Sequence, residues 1–131
     1  MILKGIFMNE ILNNISRKEK ISLQQLKNKI NNGRVVVPVN HKRRNMKLPA
    51  AIGEGLKVKV NANIGGSPDI SKIDRELTKL KVAVEVGADT VMDLTIGKKW
   101  REILSKILEF SPVPVGTVPV YAVICSRGNI E

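Results

Sequence analysis

Three segments of this chain close on different residue types at one repeated interval. Asn63 ends the run Val58-Lys59-Val60-Asn61-Ala62-Asn63, Met92 lies inside Thr90-Val91-Met92-Asp93-Leu94, and Tyr121 ends Val115-Gly116-Thr117-Val118-Pro119-Val120-Tyr121. Asn63 to Met92 is 29 residues and Met92 to Tyr121 is again 29. A (β/α)₈ barrel of ~250 residues spends ~31 residues on each strand–helix unit. The spacing therefore predicts that Asn63, Met92 and Tyr121 stand at one level, near the carboxyl ends of three consecutive parallel strands. Barrel enzymes place their chemistry at that end.

The pattern around these runs supports an α/β chain. Residues 1–32 read as a helical lead-in. Ile6, Phe7, Ile11, Leu12 and Ile15 recur at helical spacing. Ser22 and Gln25 then form the two ends of a capping box ahead of Leu23, Leu26 and Ile30, and Gly33 is a helix stop. Residues 33–131 read as strand–helix units. Val35-Val36-Val37 is a β-branched run of the kind buried on both faces, ended by Pro38. Val58 to Ile64 is the next strand. Ser67-Pro68 suits a helix start, and Ile70, Ile73, Leu77, Leu80 and Val84 form its apolar stripe, with Lys72, Arg75, Lys79 and Glu85 opposite. Gly87 stops that helix. Thr90 to Leu94 is a strand, Ile103, Leu104, Ile107 and Leu108 mark a second amphipathic helix, and Val115 to Tyr121 is the last strand. Strands alternating with helices argue for a parallel sheet, either a partial barrel or an open doubly wound sheet.

Composition removes several function classes. The chain has 131 residues and one cysteine, Cys125, so no internal disulfide and no four-thiolate metal site is available. This fits a reducing cytoplasm. No apolar run reaches the ~20 residues of a membrane helix, and the amino-terminal apolar stretch breaks at Asn9-Glu10, unlike a signal peptide. The net charge of +10 favours phosphorylated or polyanionic partners, or a solvated lysine-rich surface. Aromatic residues are only 3%, and none interleave with Lys42-Arg43-Arg44, so the stacking platforms of a nucleic-acid surface are missing.

Two asparagines on one side of a strand are unusual, since strand interiors disfavour Asn. Asn63 can present a carboxamide that donates and accepts, or Asn61 and Asn63 can satisfy loop backbone groups. Met92 alone is ordinary core filling. Tyr121 is the single Tyr, able to pack a ring under a ligand and bond with its hydroxyl. His41 has no partner in sequence to tune it and is given no catalytic role. Gly65-Gly66-Ser67 and Gly97-Lys98-Lys99 precede helices whose N–H groups can hold an anion. Such glycines are common in strand-to-helix turns.

Three strings carry a more specific likeness. Val58-Lys59-Val60-Asn61-Ala62-Asn63-Ile64-Gly65, Gly87-Ala88-Asp89-Thr90-Val91-Met92-Asp93-Leu94 and Ser111-Pro112-Val113-Pro114-Val115-Gly116-Thr117-Val118-Pro119-Val120-Tyr121 resemble the phosphomethylpyrimidine synthase family. The likeness runs in order from Gly33 to Tyr121. It implies a partial (β/α)₈ TIM barrel after an N-terminal helical segment, and 5-aminoimidazole ribonucleotide as substrate. The implied product is hydroxymethylpyrimidine phosphate, on the route to thiamine. It also implies S-adenosylmethionine, a [4Fe-4S] cluster and a divalent metal, zinc. The family's substrate contacts map onto Asn63, Met92 and Tyr121.

The chain departs from the family in its ligands. The three closely spaced cysteines that hold the cluster, and the later metal-binding histidines, have no counterpart in it. None of these cofactors is expected to bind this chain alone. Ser126-Arg127-Gly128 echoes a substrate loop of the family but follows Tyr121 by only five positions, and we read it as coincidence. The expectation is a truncated synthase, inactive by itself, of marginal stability. A homo-oligomer or a complementary chain would supply the missing strands. A non-catalytic ribonucleotide-binding module, or one subunit of a split synthase, is the alternative.

Overall fold

A computed structural model describes residues 2–40, 42–43, 45–68 and 72–127. His41, Arg44, Ile70 and Gly128, which entered the sequence reading, lie outside the described residues. Helix α1 (Ile2–Glu19) leads into α2 (Leu23–Asn31). The capping box ahead of α2 is formed: Ser22 Oγ accepts from Gln25 N, and Gln25 Oε1 accepts from Ser22 N. Gly33 stops α2 at φ 68°, a left-handed conformation that glycine adopts without a Cβ clash.

Two short strands follow, β1 (Val35–Val36) and β2 (Ile52–Gly53), paired antiparallel with Val35 opposite Gly53. This corrects the expectation of a strand buried on both faces. Val35 is buried, but Val36 is 60% exposed. A two-stranded antiparallel ribbon has one wet face. The apolar cluster of this half joins Ile11, Leu12, Ile15 and Leu26 to Val35 and Ala51, with Leu56 packed against them.

The second half is strand–helix alternation. β3 (Asn61–Ile64), α3 (Ile73–Glu85), β4 (Thr90–Asp93), α4 (Trp100–Phe110), β5 (Val115–Thr117) and α5 (Pro119–Arg127) follow in order. The three strands form one parallel sheet, order β3-β4-β5. The core under it is aliphatic: Ile64 and Val91 from the sheet meet Leu80 and Ala83 of α3 and Ile103 and Ile107 of α4. Helix α3 starts at Ile73, with Lys72 in the N-cap position, rather than beside Ser67.

The largest departure concerns the last strand. β5 stops at Thr117, and Val118-Pro119-Val120-Tyr121 does not continue it. Pro119 opens α5, where its missing N–H is harmless and its fixed φ suits the first helical position. Tyr121 therefore sits in a helix, its N–H donating to Val118 O at 3.0 Å.

Ionic and polar ties join the two halves. Glu19 at the end of α1 pairs with Lys59 at 2.9 Å, and Lys18 pairs with Asp89 at 2.6 Å. Arg43 Nη2 donates to Ser111 O at 2.7 Å and Asn45 Nδ2 to Leu108 O at 3.0 Å. The loop thus places the Arg43 cation just past the carboxyl end of α4, where the helix dipole is negative, and a neutral amide on one of its last carbonyls.

Candidate functional site

Strand β3 alternates. Ala62 and Ile64 pack towards the helices, and Asn61 and Asn63 are exposed on the opposite face. Parallel pairing carries this alternation across the sheet. Asn61 is level with Thr90, Asn63 with Met92, and Met92 with Gly116. The face away from the helices therefore carries two amides, a hydroxyl, a thioether and a glycine.

A short hydrogen-bonded row organises it. Thr90 Oγ1 donates to Asn61 Oδ1 at 2.8 Å, and Asn61 Nδ2 donates to Asn63 Oδ1 at 3.2 Å. The row engages the carboxamide oxygen of Asn63 and leaves its two N–H donors without an acceptor among the described residues. Met92 lies over Gly116. A Cβ built on that glycine would come within 3.0 Å of both Sδ and Cε of Met92. This surface offers hydrogen-bond donors beside a polarisable apolar patch, which suits a flat polar heterocycle.

The expected common level holds for Asn63 and Met92 only. Gly116 occupies that level on the third strand, and Tyr121 comes after the strand has ended. The register explains the difference: the step from β3 to β4 is 29 residues (90 − 61), but that from β4 to β5 is 24 (115 − 91). Tyr121 still reaches the carboxyl end of the sheet. It borders a crevice of about 30 Å³ with Asp93, Thr95, Trp100 and Thr117. It also lines an open groove of about 510 Å³ with Leu94, Gly97 and Cys125. Asp93 and Thr117 share the register of the helix-covered face, so these clefts adjoin the amide–thioether face rather than contain it.

The strand ends are knotted together by polar groups. Asp93 is buried, and its Oδ1 accepts from Thr95 N at 3.0 Å and Thr95 Oγ1 at 2.5 Å. Thr95 Oγ1 in turn accepts from Gly66 N at 3.3 Å. Burial pushes the Asp93 carboxyl above the usual aspartate range. The two Thr95 donors oppose that rise, and the nearby Glu76 charge adds to it. Glu76, also buried, accepts from Gly65 N at 2.9 Å and from Lys79 at 2.8 Å. One signal for Glu76 was available: it sits between Ile73 and Leu80 at helical spacing, inside an otherwise apolar stripe.

Comparison with known proteins identifies the family. The sequence profile described as the radical SAM ThiC family matches residues 2–131. Phosphomethylpyrimidine synthase of Methanopyrus kandleri is 49% identical over 107 residues, which is 82% of this chain and 25% of that protein. The chain thus spans a quarter of the length of that relative. With the profile covering nearly every residue, the chain belongs to the radical SAM ThiC family.

Proposed function

We propose that this chain supplies part of the substrate floor of a phosphomethylpyrimidine synthase. In this reading 5-aminoimidazole ribonucleotide lies against the open face of the sheet, on its way to hydroxymethylpyrimidine phosphate and thiamine. The carrying observation is the pairing of Asn63 with Met92 on that face, in a chain of this family. Asn63 donates to a ring or ribose acceptor, Met92 packs against the heterocycle, and Tyr121 closes the rim from α5. Residues 33–131 form the first units of a partial (β/α)₈ barrel, with 1–32 as the helical lead-in. β3 and β5 are the edge strands of the described sheet. Further strands pair there to close the barrel. A cytoplasmic location follows the same reading; among the described residues no helix is long and apolar enough to cross a membrane.

The family implies S-adenosylmethionine and a [4Fe-4S] cluster, and the residues present do not fit the cluster. Such clusters are held by several cysteine thiolates. Cys125 is the single cysteine of these 131 residues, and its Sγ already accepts Gly97 N–H at 3.1 Å. Among the described residues no three His, Cys, Asp or Glu side chains lie together where they could hold a metal ion, zinc included. In this proposal the radical chemistry belongs to residues outside the chain, which contributes binding and orientation. It turns over no substrate alone.

Calorimetry with 5-aminoimidazole ribonucleotide tests the reading. Saturable heat that weakens on Asn63→Ala supports it, and absence of heat at millimolar ligand overturns it. The result that Asn63→Ala binds as tightly as the parent chain also counts against it.

A further inference from the structure

Gly65 is the second residue after Asn63, where the chain leaving β3 passes close against the chain leaving β4. A Cβ built on it would lie 2.6 Å from Leu94 C and Thr95 N. Its φ is 136°, so glycine is required twice over, by space and by conformation. That requirement has a consequence. A residue with no side chain cannot be held by packing, and its backbone has the most freedom to lose.

Helix α3 supplies the restraint. Glu76 Oε2 accepts Gly65 N–H at 2.9 Å, and Lys79 Nζ donates to Gly65 O at 2.9 Å. The two side chains also pair with each other at 2.8 Å. One ion pair, three residues apart on a helix, therefore grips both main-chain groups of a single glycine. Glu76 is 1% exposed, and a carboxylate is tolerated at such depth only when its oxygens are bonded. A well-packed apolar residue would join α3 to the sheet as well or better. Packing alone does not explain an ion pair whose remaining bonds both go to Gly65.

We propose that Glu76 and Lys79 are positioning residues of the ligand floor. They fix the carboxyl end of β3 so that Asn63 stays level with Met92, and they touch no ligand themselves. This rests on the reading of Asn63 and Met92 as ligand contacts.

Amide-resolved NMR on the full chain tests it with four proteins: the parent, Lys79→Met, Lys79→Arg, and Glu76→Gln with Lys79→Met. The double variant keeps a neutral acceptor for Gly65 N–H, so it folds even where an unpaired buried carboxylate prevents the single variant from doing so. Without ligand, the clamp predicts that Gly65 exchange accelerates in the methionine variants while Val91 stays protected. The Asn63 carboxamide signal moves in those variants and returns in Lys79→Arg. With 5-aminoimidazole ribonucleotide, affinity falls roughly tenfold, the loss expected when one charge-assisted hydrogen bond goes, and Lys79→Arg restores it. Unchanged Asn63 signals in the methionine variants overturn the clamp. So does a moved Asn63 signal with unchanged affinity. If the parent chain binds no ligand, the floor reading fails, and the ligand-free Asn63 signal still decides whether the clamp sets that residue's place.

Discussion

Met92 covers Gly116. The thioether on β4 occupies the space that any side chain at position 116 on β5 would fill, with Sδ and Cε each 3.0 Å from the place of a Cβ. Gly116→Ala should push that thioether aside. Overpacking costs about 1–3 kcal/mol, at the low end for a flexible methionine, and loss of glycine freedom in the unfolded chain returns about 0.4–1 kcal/mol. Stability should therefore change by less than about 1 kcal/mol, while the Met92 methyl resonance shifts clearly. Urea unfolding and a methyl spectrum check both parts. An unmoved methyl signal would show that the thioether does not rest on Gly116.

Gly65→Ala should behave differently. Its Cβ would meet backbone atoms of Leu94 and Thr95 at 2.6 Å, and backbone has no alternative rotamer. With φ at 136° added, the change should destabilise by about 3 kcal/mol or more. Thermal unfolding of the two alanine variants side by side gives the comparison. Equal, small losses would contradict the close contact at Gly65.

Acid should loosen the junction between the two halves. Burial opposes ionisation of Glu19, but the Lys59 hydrogen bond, the Lys57 N–H and both lysine charges outweigh it and hold its carboxyl below the usual range. Burial likewise opposes ionisation of Asp89, and Lys18, the Val60 N–H and Lys59 outweigh it. Groups with lowered pKa bind fewer protons folded than unfolded. Their stabilisation is complete above the ordinary carboxylate range and disappears as pH falls through the lowered values. Lys59→Met leaves Glu19 without its cation in a site where the side chains are 2% and 9% exposed. The expected loss is about 3 kcal/mol at neutral pH, with a shallower acid limb in urea titrations. An unaltered acid limb would remove the pair from the account.

Asp93 has the opposite sign. Its carboxyl is raised, so the stability linked to its proton is present below the ordinary aspartate value and lost as pH rises through the raised one. Thr95→Val deletes a donor to Asp93 and the acceptor of Gly66 N–H. It should cost about 1–3 kcal/mol, with a deficit that grows as pH rises, because the carboxylate has lost a stabilising donor. Unfolding measured on both sides of the ordinary aspartate range checks the trend. A deficit independent of pH would mean that the hydroxyl matters only to Gly66.

Much of the scaffold was legible because local signals and the fold agreed. Ser22 and Gln25 made the capping box, Gly33 stopped its helix, and the stripes through Leu80 and Ile107 became the core. Alternation put Asn61 and Asn63 on one face, as the structure has them. The error at Tyr121 came from reading β-branched neighbours as strand when Pro119 was marking a helix start. The β1–β2 ribbon escaped because two-residue strands leave no periodicity. Glu76 and Thr95 escaped for another reason. Their roles depend on Gly65 and Gly66, which come close only once the chain has folded.

The account stands on Asn63 and Met92 meeting a ligand together on the open face of the sheet. Intermolecular NOE spectra of the chain with 5-aminoimidazole ribonucleotide measure that contact directly. The account predicts cross-peaks from the Met92 methyl and the Asn63 carboxamide protons to the same imidazole ring. Cross-peaks confined to the groove beside Cys125 and Ile124, or none from a ligand shown to bind, would contradict it.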